Sequence, residues 1–131
     1  MRKGLLGFVA GCMVGPTAVL ADASFECSMN ASSQVEIGAC VNEMLATVDQ
    51  TLEVALGFAM ESAKALDDAT EREEAAPALE ASQAAWLAFR DSHCDYVGAT
   101  FGGGSGTGIG IASCRVELGR ERIETLLSLV Q

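Results

Sequence analysis

Apolar residues recur every three or four positions over much of the chain, which is the spacing of amphipathic helices. The first such stretch begins after Ser33, because Ser33 and Glu36 form a capping-box signature. It is predicted to run to about Asp67. Its inward-facing positions are Ile37, Val41, Met44, Leu45, Val48, Leu52, Leu56 and Ala59.

A second helix is predicted from Ala75 or Ala76 to about Gly98. Proline is tolerated in the first turn of a helix and costly further in, so Pro77 places the start close before it. Thr70 and Glu73 form another capping-box signature, and we interpret Thr70–Glu74 as a separate turn. Neighbouring turns of this helix carry Leu79, Gln83, Trp86, Phe89, Arg90 and His93.

The glycine-rich run from Phe101 to Gly110 is predicted to be a flexible loop, because ordering so many glycines costs much entropy. A third helix is predicted from about Ala112 to Val130, with inward-facing Leu118, Ile123, Leu126, Leu127 and Val130. Three amphipathic helices bury their apolar stripes against one another. The pattern therefore predicts an all-α fold, a helical hairpin or small bundle of about three helices.

The first 21 residues have the pattern of a secretory signal peptide: Met1-Arg2-Lys3, an apolar stretch, and small residues at a cleavage point. Cleavage is predicted after Ala21, with Ala23 as an alternative. The apolar stretch is too short and glycine-rich for a membrane span. The run ending at Cys12 also resembles a bacterial lipoprotein box, so a lipid anchor at Cys12 is the alternative interpretation.

Removal of residues 1–21 leaves residues 22–131 as a single predicted domain of strongly acidic character. It keeps 6 Lys and Arg against 18 Asp and Glu, a net charge of −12. Such a surface argues against nucleic acid or anionic lipid as the partner and suits a basic one. The predicted location is the periplasm or the outside of a bacterial cell.

Four cysteines remain in the predicted domain: Cys27, Cys40, Cys94 and Cys114. An even number in a small exported chain indicates a disulfide framework, with three possible pairings. We favour Cys27–Cys40 and Cys94–Cys114, because each bridge closes a short loop. Zinc is the other use of four thiols, but the chain has no CxxC pair.

The densest motif surrounds Trp86 and Arg90, four residues apart on the second helix. This spacing lets the guanidinium lie over the indole ring. We interpret the pair as a core tryptophan covered by an arginine stem rather than as a binding site. Glu36 of the first helix is the predicted ion-pair partner of Arg90, since a buried charge needs compensation.

With these residues the chain resembles the LprI-like lysozyme inhibitor family of small exported bacterial proteins. The resemblance extends from Cys27 to Leu126. It rests on the four cysteines, a glycine-rich loop, and the motif residues Glu36, Gln83, Trp86, Arg90, Asp91 and Arg122, which we interpret as structural. The run Gln-Ala-x-Trp-Leu-x-Phe-Arg-Asp-x-x-Cys, residues 83–94, is its most specific part.

The chain departs from the family pattern at two places. Related proteins commonly have Leu-Asn-x-x-Tyr where this chain has residues 52–56, Leu-Glu-Val-Ala-Leu. Gly119 stands where a threonine is usual. The first departure puts in doubt any function that depends on the missing tyrosine or asparagine.

The resemblance implies that the protein inhibits a lysozyme. C-type lysozymes are commonly basic, and an acidic protein is steered toward them. Their catalysis uses two carboxylates in a cleft. The glycine loop, with Ser105 and Thr107, is therefore the candidate segment for insertion into that cleft.

No catalytic constellation is evident, so we expect a protein that is not an enzyme and that uses neither a cofactor nor a metal. The chain has one histidine, His93, beside Cys94, and the glycine run matches no nucleotide-binding motif. The alternative function is a periplasmic adaptor or immunity-type binding protein that leaves lysozyme unaffected.

Overall fold

A computed structural model of the protein describes residues 22–130, and the predicted signal peptide with Cys12 lies outside them, as does Gln131. The described residues form four helices and no strand: α1 (Ala23–Ser28), α2 (Gln34–Thr70), α3 (Ala75–Ala99) and α4 (Thr107–Ser128). The predicted all-α fold is therefore confirmed. The short helix α1 was not predicted.

The capping box at the start of α2 forms where it was predicted. The Ser33 hydroxyl accepts a hydrogen bond from the Glu36 backbone N–H at 3.3 Å. The Glu36 carboxylate in turn accepts from the Ser32 N–H at 2.7 Å and from the Ser32 hydroxyl at 2.9 Å. These bonds, led by the one from the Ser32 backbone, lower the pKa of Glu36. The reciprocal bond thus reaches one residue further back than in the usual box.

The turn between α2 and α3 differs from the prediction. The expected capping box of Thr70 and Glu73 does not form, because the carboxylate of Asp67 caps α3 instead. It accepts from the backbone N–H groups of Ala75 at 2.8 Å, Ala76 at 2.9 Å and Glu74 at 3.2 Å. These bonds, with Ala76 first, lower the pKa of Asp67.

Replacing Asp67 with alanine is expected to destabilise the protein at neutral pH and to have little effect in strong acid. The pKa of this carboxyl in the folded protein lies below its ordinary 3.8. Its contribution is therefore present above that value and is lost as the pH falls through the folded pKa. Urea unfolding of wild type and Asp67→Ala at about pH 7 and about pH 2 measures the difference.

Asp68→Ala is the matched control, because Asp68 is exposed and its side chain has no hydrogen bond among the described residues. An Asp67→Ala protein that is as stable as wild type at neutral pH contradicts the capping role. So does a loss of stability that is equal at both pH values.

Helix α4 packs between α2 and α3 and carries the centre of the core. Val116 and Leu126 are fully buried on its inner face. The predicted inward orientation of Leu127 and Val130 is wrong, since their exposed fractions are 46% and 40%. Leu127 lies about 100° around the helix from Leu126, and Val130 follows the helix end at Ser128.

Helix α4 also begins earlier than predicted, at Thr107. The expected flexible loop over residues 101–110 is therefore wrong over its last four residues. The Phe101 ring lies across this first turn: a Cβ added at Gly110 would be 2.4 Å from Phe101 Cε2. Glycine is thus required there by close approach, whereas Gly102 and Gly103 have positive φ in the remaining loop.

Both favoured disulfides are present. Cys27–Cys40 joins α1 to α2 with a Cα–Cα distance of 5.9 Å. Cys94–Cys114 joins the end of α3 to α4 with a Cα–Cα distance of 5.6 Å. The second bridge spans the glycine-rich loop and holds its two ends together.

Helix α1 is held in place by contacts with α4. Asp22 caps it by accepting from the Phe25 N–H at 2.8 Å, and Ala23 is fully buried. The Ala23 N–H donates to Glu117 at 3.1 Å, and burial raises the pKa of that glutamate. Arg120 pairs with Glu26 at 2.7 Å. These contacts order a segment that is too short to be a stable helix alone.

Candidate functional site

Four of the family-motif residues, Gln83, Trp86, Arg90 and Arg122, lie together with Asp49 where α2, α3 and α4 meet. We call these five residues the arginine–tryptophan cluster. The Trp86 ring lies near two guanidinium groups. The Cζ atom of Arg90 is 5.4 Å from the ring centroid and that of Arg122 is 5.8 Å away. The predicted stacking of Arg90 on Trp86 is confirmed, and the second arginine was not predicted.

Arg90 is buried, with 6% exposure, and its Nη2 donates to the Asp49 carboxylate at 2.7 Å. The predicted pairing of Arg90 with Glu36 is wrong. Glu36 lies 13 residues before Asp49 on the same helix, a separation of about 20 Å, and its carboxylate binds Ser32. The Asp49 carboxylate compensates the Arg90 charge at the α2–α3 contact.

Arg122 binds neutral partners in the described part of the chain. Its Nε donates to the side-chain oxygen of Gln83 at 3.0 Å, and its Nη2 donates to the Ser82 hydroxyl at 3.1 Å. Burial lowers the pKa of Arg122. Asp49 is on α2, Gln83 on α3 and Arg122 on α4, so the cluster joins three helices. We therefore propose a structural role for it.

The remaining motif residue, Asp91, lies on the exposed side of α3. Its carboxylate is 3.2 Å from Nη2 of Arg115, and Asp95 is 3.9 Å from the same nitrogen. These pairs link α3 to α4 on either side of the Cys94–Cys114 bridge. Asp91 therefore helps the Cys94–Cys114 disulfide to join α3 to α4, and it does not belong to the arginine–tryptophan cluster.

The candidate binding loop occupies residues 100–106, between α3 and α4. Ser105 is exposed, and its hydroxyl makes no hydrogen bond to another described residue. The Thr107 hydroxyl donates to the Gly104 carbonyl at 2.8 Å and so stabilises the start of α4. Of the two hydroxyls predicted to enter the lysozyme cleft, that of Ser105 is therefore the one with no hydrogen-bond partner among residues 22–130.

An apolar depression of about 390 Å³ lies beside this loop. The ring of Phe101 and the ring of Phe25, from α1, form part of its wall, and they are 47% and 58% exposed. Asp22 and Ser24 also line it. This end of the molecule thus combines an exposed hydroxyl with two exposed aromatic rings. We call Ser105, Phe101 and Phe25 the loop face.

Residues 22–130 contain no group of three or more His, Cys, Asp and Glu side chains arranged to hold a metal ion. The His93 ring stacks on Phe89, with 5.3 Å between centroids. In the same part of the chain, no helix is both long and apolar enough to span a membrane.

Four helices joined by two disulfides, with a partly buried polar cluster where α2, α3 and α4 meet, define a small disulfide-bonded helical protein of the kind typical of exported chains. Residues 26–126 match the family described as lysozyme inhibitor LprI, and the chain belongs to this family. The resemblance seen in the sequence is thereby confirmed. No curated protein and no solved structure was found to match the chain.

Proposed function

We propose that the protein is an exported inhibitor that binds a basic c-type lysozyme and so protects peptidoglycan. The observation that carries this proposal is membership of the LprI family over residues 26–126. In this proposal residues 1–21 are a leader that is removed, and residues 22–131 act as one domain in the periplasm or outside the cell.

The charge of the protein supports a basic target. Residues 22–131 carry 18 acidic and 6 basic side chains. A net negative protein attracts a positively charged enzyme over roughly a Debye length, about 8 Å at physiological salt. Such attraction raises the association rate more than it raises the final affinity.

The loop face is the proposed contact with the lysozyme cleft. Lysozyme catalysis depends on two carboxylates in that cleft, so an acidic side chain placed there would be repelled. Residues 99–110, which include Phe101 and Ser105, contain no charged side chain, and Asp22 is the acidic residue that lines the depression beside them. The exposed Ser105 hydroxyl is able to donate a hydrogen bond to a carboxylate, and the nearby Phe101 and Phe25 rings supply apolar contact.

Lysozyme turnover of a peptidoglycan suspension, with and without purified and oxidised residues 22–131, tests the proposal. We expect dose-dependent inhibition that weakens as salt rises. Ser105→Glu is expected to weaken inhibition at least about tenfold, equivalent to 1.4 kcal/mol, because it directs a carboxylate toward the catalytic pair.

Ala85→Glu is the matched control, since it adds the same charge at an exposed position of α3 away from the loop. If Ser105→Glu and Ala85→Glu change inhibition equally, the loop is not part of the contact with lysozyme. No inhibition by a folded protein with both disulfides formed would reject the inhibitor function and favour an adaptor or immunity-type binding protein.

A further inference from the structure

A second cavity lies at the other end of the helical hairpin, past the point where α4 ends. It has a volume of about 640 Å³ and separates the last turns of α2 from the first turns of α3. We call it the hairpin cleft. Its lining is largely apolar and includes Ala59, Ala63 and Leu66 of α2, Ala78 and Leu79 of α3, and Leu129.

Small side chains keep the cleft open. Alanine at three of these positions leaves a gap that leucine would fill, while Leu66 and Leu129 at its edge are 55% and 60% exposed. Covering exposed leucines lowers the free energy because it removes apolar surface from water. An open apolar cleft of this size accommodates a few large side chains. The cleft is therefore shaped to receive side chains from another molecule.

The hairpin cleft is remote from the loop face. Gly38, near the start of α2, lies against Ile109 at the loop end of the molecule. The cleft begins at Ala59, 21 residues further along the same helix, which corresponds to about 30 Å. A molecule bound in the cleft would thus leave the loop face accessible.

The surroundings of the cleft are strongly acidic. Residues 57–82, which form the hairpin tip, contain seven Asp and Glu and only two basic residues, Lys64 and Arg72. Arg72 is already paired with Glu74 at 2.5 Å. The hairpin tip thus has a net charge of −5 (two basic against seven acidic residues), whereas the residues that line the cleft carry no charge. An apolar cleft in a negative tip matches a partner that carries apolar side chains and positive charges on adjoining faces.

We propose that the hairpin cleft binds a cationic amphipathic helix of a partner protein. Ala59 to Leu66 of α2 extend over about 10 Å, or two helical turns. Apolar residues at positions i and i+4 of the partner helix would enter the cleft, as in other helix-in-groove complexes. Lysine or arginine on its flanks would be attracted by the acidic hairpin tip. This interaction goes beyond the proposed inhibition, because it requires no lysozyme.

Binding of a fluorescently labelled synthetic helix of 14 Leu and Lys residues, patterned to be amphipathic, tests the inference by anisotropy. The oxidised protein is expected to bind it, and Ala78→Phe is expected to weaken binding at least about tenfold by filling the cleft. Ala88→Phe is the matched control, an equal enlargement at an exposed α3 position outside the cleft. It is expected to leave the affinity unchanged.

A peptide with Glu in place of Lys separates charge complementarity from apolar adhesion, and it is expected not to bind. Equal binding of the Lys and Glu peptides would overturn the inference, as would equal affinity of Ala78→Phe and wild type. Sedimentation equilibrium of the free protein supplies another test. A dimer that Ala78→Phe dissociates would show that a second copy occupies the cleft, and would also overturn it.

Discussion

Replacing Trp86 with alanine is expected to lower the free energy of unfolding by about 3 kcal/mol, near the lower end for a large aromatic in a core. The indole is half-buried and packs against the buried group that contains Leu52 and Leu126. It also lies beside the guanidinium groups of Arg90 and Arg122. The substitution removes apolar contact and leaves two partly desolvated cations without their aromatic neighbour.

Urea unfolding followed by far-ultraviolet circular dichroism measures this loss without relying on tryptophan fluorescence. Leu87→Ala is the control, since the adjacent side chain is 44% exposed and its removal is expected to cost less than about 1 kcal/mol. A Trp86→Ala protein that unfolds like wild type would show that the ring contributes little to stability. Trp86 would then become a candidate for partner binding.

Replacing Gly119 with threonine is expected to destabilise this protein by about 2 to 3 kcal/mol. Gly119 is buried where α4 meets α2, and a Cβ at this position would be 2.4 Å from Cγ1 of Val48. The backbone of α4 therefore approaches α2 too closely for any larger side chain while Val48 is present.

A double-mutant cycle with Val48→Ala tests this explanation. We expect the Val48→Ala/Gly119→Thr protein to be more stable than the Gly119→Thr protein, because the smaller side chain makes room for the threonine. Thermal unfolding of the four proteins measures the coupling. Additive effects of the two substitutions would place the cause of the destabilisation elsewhere.

The long helices were predictable because their signals are local. The periodic apolar positions of α2 and the position of Pro77 in α3 place both helices within a few residues of where they lie. Helix α1 has six residues and no periodic stripe, and it depends on contacts such as that from Ala23 to Glu117, 94 positions away. The start of α4 was missed because a run of glycines predicts a loop, whereas Gly106 and Gly110 lie against the Phe101 ring where the helix begins.

The candidate site was predictable only in part, for a similar reason. The contact of Arg90 with Trp86 follows from helical spacing and was found in the sequence. The ion pair of Arg90 with Asp49 joins residues 41 positions apart, and the sequence offers several carboxylates on α2. To choose among these carboxylates, one must know how α2 is rotated about its axis relative to α3. That rotation is determined by packing against α4.

Both disulfides lie toward the loop end of the molecule, between Cys27 and Cys40 and between Cys94 and Cys114, whereas residues 57–82 contain no cysteine. The loop end of the fold is therefore expected to resist local unfolding more than the hairpin tip does. We expect heat to loosen the uncrosslinked tip before the end of the fold that carries both bridges. A protease that removes residues 57–82 would separate residues 22–56 from residues 83–131, because neither disulfide joins the two fragments.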